Sequence, residues 1–146
     1  MQKIEILEIK HNSAEYWKLV RIREIVLRLP LFMRFSIESL HSEINEKIFG
    51  IKVDSKWVGS CQYQLFPEIK TAKMRQVAIL KSFQGKGLGK ILISESEKSI
   101  IKLGMNKVTC HARETAIPFY ETLHYHCISE LFEEVGIPHK KMEKIL

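Results

Sequence analysis

The sequence predicts an α/β chain of the α+β kind, in which a mixed sheet is covered by helices. Three observations carry that prediction. Segments of alternating apolar and polar residues interleave with segments of helical spacing in the order β-α-α-β-β-β-α-β-α-β-β. The 146 residues contain 45% hydrophobic and 27% charged side chains, close to the globular average and away from disordered or collagen-like chains. The rhythm breaks at Gly85, Gly87 and Gly89, where a strand gives way to a helix.

The elements follow in order. Ile4, Ile6 and Ile9, with Leu7 among them, make a short first strand. Ser13 is an N-cap residue, and Leu19, Ile22, Val26 and Leu29 recur at helical spacing until Pro30 stops the run. Ser36-Ile37-Glu38 opens a second, shorter helix to about Ile44. Residues 47–53 and 57–66 read as a hairpin around Asp54-Ser55-Lys56, with Trp57, Val58, Tyr63 and Leu65 supplying strand-forming bulk. After the Pro67 turn an extended run covers 71–80. A helix then passes through Leu88, Leu92, Ser96, Ser99 and Leu103, and Gly104 stands where a left-handed C-cap residue belongs. Residues 107–112 form a strand. Thr115 caps a helix whose Ala116, Phe119, Tyr120 and Leu123 share one face, with Pro118 in the first turn. Strands over 127–132 and 139–145, around Val135-Gly136-Ile137-Pro138, complete the chain.

No repeat or Pro/Gly/Ser-rich linker divides residues 1–146, which are expected to form one domain. Lys and Arg outnumber Asp and Glu by 23 to 17, giving a formal charge of +6 and a pI of about 9.2. That surplus fits a nucleic-acid surface, a membrane-surface patch or an acidic small ligand. Lys140-Lys141 is the only adjacent basic pair, whereas nucleic-acid binding favours a concentrated stripe. The longest apolar stretch, 25–33, is cut by Arg28 and Pro30, far short of the ~18 apolar residues of a membrane span. The first residues alternate charge and apolar character and form no signal-peptide core. Cys61, Cys110 and Cys127 are odd in number and far apart, which argues against a secreted disulfide framework and for a cytoplasmic location.

The segment from Val77 to Lys90 is the most informative. A strand that runs into glycines and opens a helix leaves several backbone N–H groups unpaired at the positive end of a helix dipole, which is a ready phosphate site. Glycine suits the turn because it accepts positive φ and keeps no β-carbon between the N–H groups and the phosphate oxygens. Lys81, Lys86 and Lys90 add charge nearby. A Walker loop fails on register, since aligning Gly89-Lys90 puts Gln84 at its first glycine and Ile91 at its hydroxyl position. The dinucleotide fingerprint fails too, because the glycines run Gly-x-Gly-x-Gly rather than Gly-x-Gly-x-x-Gly. A bare tight turn explains the glycines as well as a ligand does.

Gln84-Gly85-Lys86-Gly87-Leu88-Gly89 after Val77-Ala78-Ile79 resembles the acetyl-CoA-binding motif of the GNAT superfamily of N-acetyltransferases. Phe119-Tyr120-Glu121-x-Leu123-His124-Tyr125 is similar to that superfamily's Phe-Tyr-Glu-x-Leu-Gly-Phe segment. Phe132-Glu133-Glu134-x-Gly136-Ile137-Pro138-His139-x-x-Met142, and Val26-Leu27-Arg28-x-Pro30-Leu31, resemble segments of one bacterial branch. The resemblance implies a GNAT-type, mostly antiparallel sheet of about seven strands flanked by about four helices. It implies transfer of acetyl from acetyl-CoA, as co-substrate and without a metal, directly to a primary amine of a small molecule. It also implies two strands that part to admit the pantetheine arm, and it is compatible with a homodimer. Val77, Ala78 and Ile79 would meet the pantetheine amides and the thioester carbonyl, Gln84 would orient the loop and contact phosphate, and Gly85, Lys86, Gly87, Leu88, Gly89 and Lys90 would hold the pyrophosphate. Tyr120 would serve the departing thiolate.

The base is less defined. Glu134 and His139 join Tyr120 as the expected catalytic residues, with Glu133 and His111 as further candidates; a solvated turn and a backbone hydrogen bond explain Glu133-Glu134 and His139 equally well. Two positions depart from the family pattern. Arg113 stands where asparagine is common, and His124 replaces a glycine, implying a different helix exit. The acceptor pocket is expected from 29–41 and the terminal Gly-Ile-Pro-His region. Cys110-His111 and His124-Tyr125-His126-Cys127 match no common zinc module. Arg21, Glu24 and Arg28 read as an ion-paired solvated face, or alternatively as a site for an acidic acceptor or the CoA phosphates. The competing function is a non-catalytic module that binds CoA or nucleic acid on the same fold.

Overall fold

The computed structural model describes residues 2–146. β1 (Ile4–Ile9) pairs antiparallel with β2 (Lys47–Val53), which turns into β3 (Lys56–Phe66) through Asp54 and Ser55, both at positive φ (49° and 69°). Two such residues make the hairpin turn whose twist matches its strands, so β3 starts at Lys56, one residue earlier than the sequence implied. β3 pairs antiparallel with β4 (Thr71–Ile79), and β4 pairs parallel with β5 (Lys107–Arg113). β5 pairs antiparallel with β8 (Ile137–Ile145), which also carries β6 (His126–Cys127) and β7 (Phe132–Glu134). The sheet is thus mixed and mostly antiparallel, as expected.

Among the described residues it has eight strands, because 127–132 does not run through as one strand. The Lys141 N–H goes to Ser129 Oγ at 2.8 Å, where a ladder carbonyl would otherwise stand, and the chain bows out between β6 and β7. Val135 and Gly136, at φ 48° and 74°, form a two-residue turn, so β8 begins at Ile137 instead of His139. That register sets His139 opposite Phe132 and Ile137 opposite Glu134.

Helices cover both faces. Tyr16, Leu19, Val20 and Ile22 of α1 (Ala14–Arg23) and Leu40 of α2 (Ile37–His41) pack with Ile9, Ile48, Trp57 and Ala78. Leu92, Ile93 and Ile100 of α3 (Leu88–Lys102) and Tyr120 of α4 (Ile117–Glu121) pack with Phe49, Ile51, Met74, Val108 and Met142 on the other side. Ser13 caps α1 by accepting from the Tyr16 N–H, and Gly104 ends α3 at φ 91°, both as the sequence indicated. Thr115 does not cap α4. The chain leaves β5 through a 3₁₀ turn, Glu114–Ala116, that absorbs Thr115, and a cap needs an extended backbone. Among the described residues no helix is long and apolar enough to cross a membrane.

The end of α1 is fixed by charge. Arg23 and Glu43, both buried, form a bidentate pair at 2.9 and 2.7 Å, and the Tyr16 hydroxyl donates to the same carboxylate at 3.2 Å. Burial, reinforced by the Glu43 charge, pushes the Tyr16 phenol up to about 12. Removing one partner of such a buried pair costs about 3–5 kcal/mol. Directly beyond this anchor the helix widens into a π-helical turn, Glu24–Arg28, in which the Leu29 N–H reaches back to the Glu24 carbonyl.

Candidate active site

β4 and β5 pair only where Thr71, Ala72, Lys73 and Met74 face Lys107, Val108, Thr109 and Cys110; beyond that point both strands continue without pairing to each other. A bulge accompanies the parting. Ser60 lies opposite Ala78 but Gln62 opposite Arg75, so β4 holds one extra residue, and Gln76 takes φ 54°. The extra residue inverts the side-chain alternation. Met74 faces the core under α3, whereas Ala78, four residues on, faces the core under α1, and Val77 and Ile79 turn to the α3 side. The Leu80 N–H bonds the Val58 carbonyl at 2.8 Å, which by strand alternation commits Ala78 to β3 and turns the Ile79 N–H to the open side. Gln84 Nε2 donates to the Ile79 carbonyl at 2.8 Å and ties the following loop to the strand.

Past this tie the chain makes the glycine turn. Gly85 and Gly87 adopt φ 76° and 77°, and a β-carbon at either would meet no protein atom within 4 Å. Gly87 is the N-cap of α3 and brings no side chain to the helix's first N–H groups, while Leu88 is buried and anchors the turn. Open space on a positive-φ backbone, in front of unpaired N–H groups, fits a pyrophosphate. Gly89 has a different reason for its identity: a β-carbon there would sit 3.2 Å from Phe119 Cζ. Lys86 and Lys56 both lie over the Phe83 ring at 5.3 Å. Lys56, from the β2–β3 hairpin, carried no sequence signal that linked it to this loop.

A cavity of about 380 Å³ occupies the gap between the parted strands, walled by residues 73–77 and 110–113 with Leu27, Arg28, Ala116, Tyr120 and the β7–β8 turn. Of the sequence-predicted residues it gathers Val77, Tyr120, Glu134 and His139. Ala78 and Ile79 lie further along β4, and residues 84–90 form the cradle outside it. Tyr120 is buried, its hydroxyl takes part in no hydrogen bond among the described residues, and burial pushes its phenol far above the usual value. Gln76 Oε1, also on the cavity wall, is buried without a partner.

Two imidazoles and a carboxylate meet at the other end. His111 Nδ1 donates to Glu134 Oε1 at 2.9 Å, and His139 Nε2 lies 3.7 Å from Glu134 Oε2, beyond a hydrogen bond but within strong Coulomb range. His139 Nδ1 is 2.7 Å from the Ile137 carbonyl, which only accepts, so that nitrogen carries the proton and Nε2 keeps its lone pair in the neutral ring. Phe132 stacks on His139 and meets His111 edge-on, at 6.0 and 5.1 Å, holding both rings. Burial raises the Glu134 pKa, but the His111 hydrogen bond, then the charges of His111, His139 and Lys73, outweigh it and hold the carboxyl below its ordinary value. Glu133, on the opposite side of β7 by alternation, is exposed and does not line the cavity.

Several expectations change. Residues 29–41 do not line the cavity; its wall there is Leu27 and Arg28, directly before that segment. Arg21 does pair with Glu24 at 3.3 Å, with the arginine exposed and the glutamate mostly buried, but Arg28 does not share that face. The π turn, wider than an α turn, displaces Arg28 from its seven-residue relation to Arg21 and sends it to the cavity. His124 keeps a left-handed exit at φ 72°, so its substitution for glycine does not alter the helix exit. Cys61 and Cys110 are buried thiols, each pushed up to about 12 by burial first of all. Among the described residues no three His, Cys, Asp or Glu side chains are arranged to hold a metal ion.

The chain is thus a mixed sheet split at a bulged strand beside its parallel neighbour, with a glycine-turned helix at the foot of the split. The chain belongs to the GNAT acetyltransferase family: the model of the acetyltransferase (GNAT) domain matches residues 32–146. The uncharacterized Bacillus subtilis protein YyaT is 39% identical over 74 residues, which cover 51% of this chain and 50% of YyaT. The chain spans about half the length of the curated relatives it matches. In three dimensions it is similar to Escherichia coli ElaA, with a TM-score of 0.81 at 15% identity over 99% of each chain. It is similar also to an aminoglycoside 6'-N-acetyltransferase complexed with coenzyme A, with a TM-score of 0.80 at 15% identity over 97% of this chain and 96% of the other.

Proposed function

We infer that the protein transfers the acetyl group of acetyl-CoA to a primary amine of a small acceptor. The parting of β4 from β5, directly above the glycine turn and with Tyr120 in the gap, carries this reading. A fold neighbour complexed with coenzyme A supports the choice of ligand. Acetyl-CoA supplies an acyl group activated as a thioester. The N–H groups of Gly85, Lys86, Gly87, Leu88, Gly89 and Lys90 bind its pyrophosphate, while Val77, Ala78 and Ile79 border its pantetheine arm, with the Ile79 N–H as the available donor.

An alkylamine with a pKa near ~10.4 is almost wholly ammonium at pH 7, and freeing its lone pair costs about 4–5 kcal/mol. His139 Nε2, with its lone pair turned to Glu134 and the cavity, takes that proton, and the Glu134 carboxylate stabilises the resulting imidazolium. As the amine nitrogen bonds to the acyl carbon and the carbon–sulfur bond breaks, the unpartnered Tyr120 hydroxyl gives its proton to sulfur. The second proton of the now cationic nitrogen returns to the Tyr120 oxygen, leaving the amide, the CoA thiol and an imidazolium that gives its proton to water. Burial keeps the phenol protonated at neutral pH, so its proton is present when the thiolate forms.

Thermal denaturation with acetyl-CoA, NADH and single-stranded DNA tests the choice of ligand. Acetyl-CoA at ~100 times its dissociation constant should add roughly 2.7 kcal/mol of stability. Stabilisation by NADH or DNA and none by acetyl-CoA overturns the reading. A non-catalytic module would bind acetyl-CoA yet release no free CoA with any amine.

A further inference from the structure

The acetyltransfer reading leaves the acceptor open beyond its amine, and it makes no use of most of the charge in the cavity. Arg28, Lys73, Arg75 and Arg113 line the space against one carboxylate, Glu134. Arg75 is matched by Glu46 at 2.6 Å, and Glu134 is engaged by the two histidines. Among the described residues Arg28, Arg113 and Lys73 have no carboxylate within salt-bridge distance.

Arg28 and Arg113 converge instead on one neutral atom. The Leu27 carbonyl oxygen accepts from Arg28 Nη1 at 3.4 Å and from Arg113 Nη2 at 3.3 Å. Each guanidinium has five N–H donors, so both retain donors after this shared contact. Two like charges side by side at the edge of a cavity repel, and burial together with Arg113 and Arg23 lowers the Arg28 pKa. Arg28 is nonetheless held in place, since it stacks over Phe35 at 4.9 Å and the π turn directs it inward. An anion between the two guanidiniums would relieve their repulsion and use their free donors, in the geometry that planar forks offer to carboxylate or phosphate.

We propose that the acceptor is a compact amine that also bears an anionic group, a carboxylate or a phosphate, and that Arg28 and Arg113 hold that group while the amine faces the thioester end of the cleft. This rests on the acetyltransfer reading above. The cavity of about 380 Å³ must also take the acyl end of acetyl-CoA, which restricts the acceptor to a small molecule. The same charges disfavour polycations, so likeness of fold to an aminoglycoside acetyltransferase does not extend to a polycationic acceptor.

Matched acceptors test this at saturating acetyl-CoA. Ethanolamine, serine and O-phosphoethanolamine share one skeleton and differ by nothing, a carboxylate and a phosphate; leucine and isoamylamine form a second pair, and spermidine and kanamycin supply polycations. At least one anionic acceptor should exceed its neutral partner and both polycations about tenfold or more in kcat/KM, and which anion wins identifies the group. Arg28→Gln and Arg113→Gln should each shrink that ratio, raising the acceptor KM while the KM for acetyl-CoA moves within a few-fold. Preference for neutral or polycationic amines, or no anionic amine turned over faster than its partner, overturns the proposal. So does loss of acetyl-CoA binding in the two variants, which would make the arginines cofactor ligands. Absence of acetyl-CoA binding in the unsubstituted protein would instead defeat the acetyltransfer reading itself.

Discussion

At the α3 end of the cleft the groups offered to a ligand under the proposed reading are backbone N–H groups of one short segment. At the β8 end they are side chains from α1's π turn, β5, β7 and β8, distant in sequence and brought together by the fold. The first end depends on backbone conformation, since Gly85 and Gly87 hold positive φ with open space before them. The second depends on register: a two-residue turn sets Phe132 beside His139, and one wide helical turn moves Arg28 inward. A local device tolerates little change in its residues but survives much change around it. An assembled one tolerates substitution at each position yet responds to small shifts in any of four elements.

The sharpest way to break the contrast is at Gly87. Glutamate there fills and charges the space in front of α3, and acetyl-CoA affinity should fall about a hundredfold or more while the fold persists. The backbone cost of about 1–2 kcal/mol for a left-handed residue is common to any such glycine. Gly104→Glu is therefore the matched control: its φ is 91° and its surroundings are equally open, but it lies at the far end of α3. Equal affinity in Gly87→Glu and the unsubstituted protein, measured by titration calorimetry, removes the cradle from the binding site.

These two modes of construction also explain what was legible in the sequence. Gln84, Gly85, Gly87 and Gly89 stand together in the chain, and the strand before them and helix after them follow from their spacing. Tyr120 was legible through its resemblance to a known segment, not through its helical face, which reads equally as core. Arg28 misled because heptad arithmetic assumes 3.6 residues per turn, and nothing local announces a π turn. His111 stood only as a further candidate for the base and Arg113 only as a departure from the family pattern, since the sequence does not state that β5 parts from β4 at Cys110. Phe132 was counted as the end of a strand, and only the early start of β8 makes it the support of two histidines.

Tyr120 lies between the two ends and tests their junction with a smaller effect. Tyr120→Phe deletes one oxygen that holds no hydrogen bond, so stability should change by less than ~1 kcal/mol and acetyl-CoA affinity by no more than a few-fold. Turnover should fall about 10- to 100-fold, the scale of a lost proton donor. Unaltered kcat in steady-state assays would exclude the phenol from the chemistry. A large loss of affinity would make it part of the cofactor wall instead.

The smallest effect separates the ends by titration. Backbone N–H groups do not ionise near neutrality, so the cradle's contribution to stability is indifferent to pH, whereas Glu134 is a carboxylate with a depressed pKa. The sign follows from linkage: a carboxyl whose folded pKa lies below its unfolded value of about 4.3 stabilises above that value and loses its contribution as pH falls through the folded one. Glu134→Gln removes that dependence. The unsubstituted protein should therefore melt slightly higher than the variant at pH 6–7, and the gap should close as the pH drops through and below the ordinary carboxylate range. Because the side chain is 46% exposed, solvent screening keeps the difference within the ~0–1 kcal/mol typical of exposed pairs, or a few degrees in a chain of this length. A gap that is constant with pH, or that widens in acid, would mean that Glu134 gains nothing from His111 and His139, and that the three do not act as one charged unit at the acceptor end.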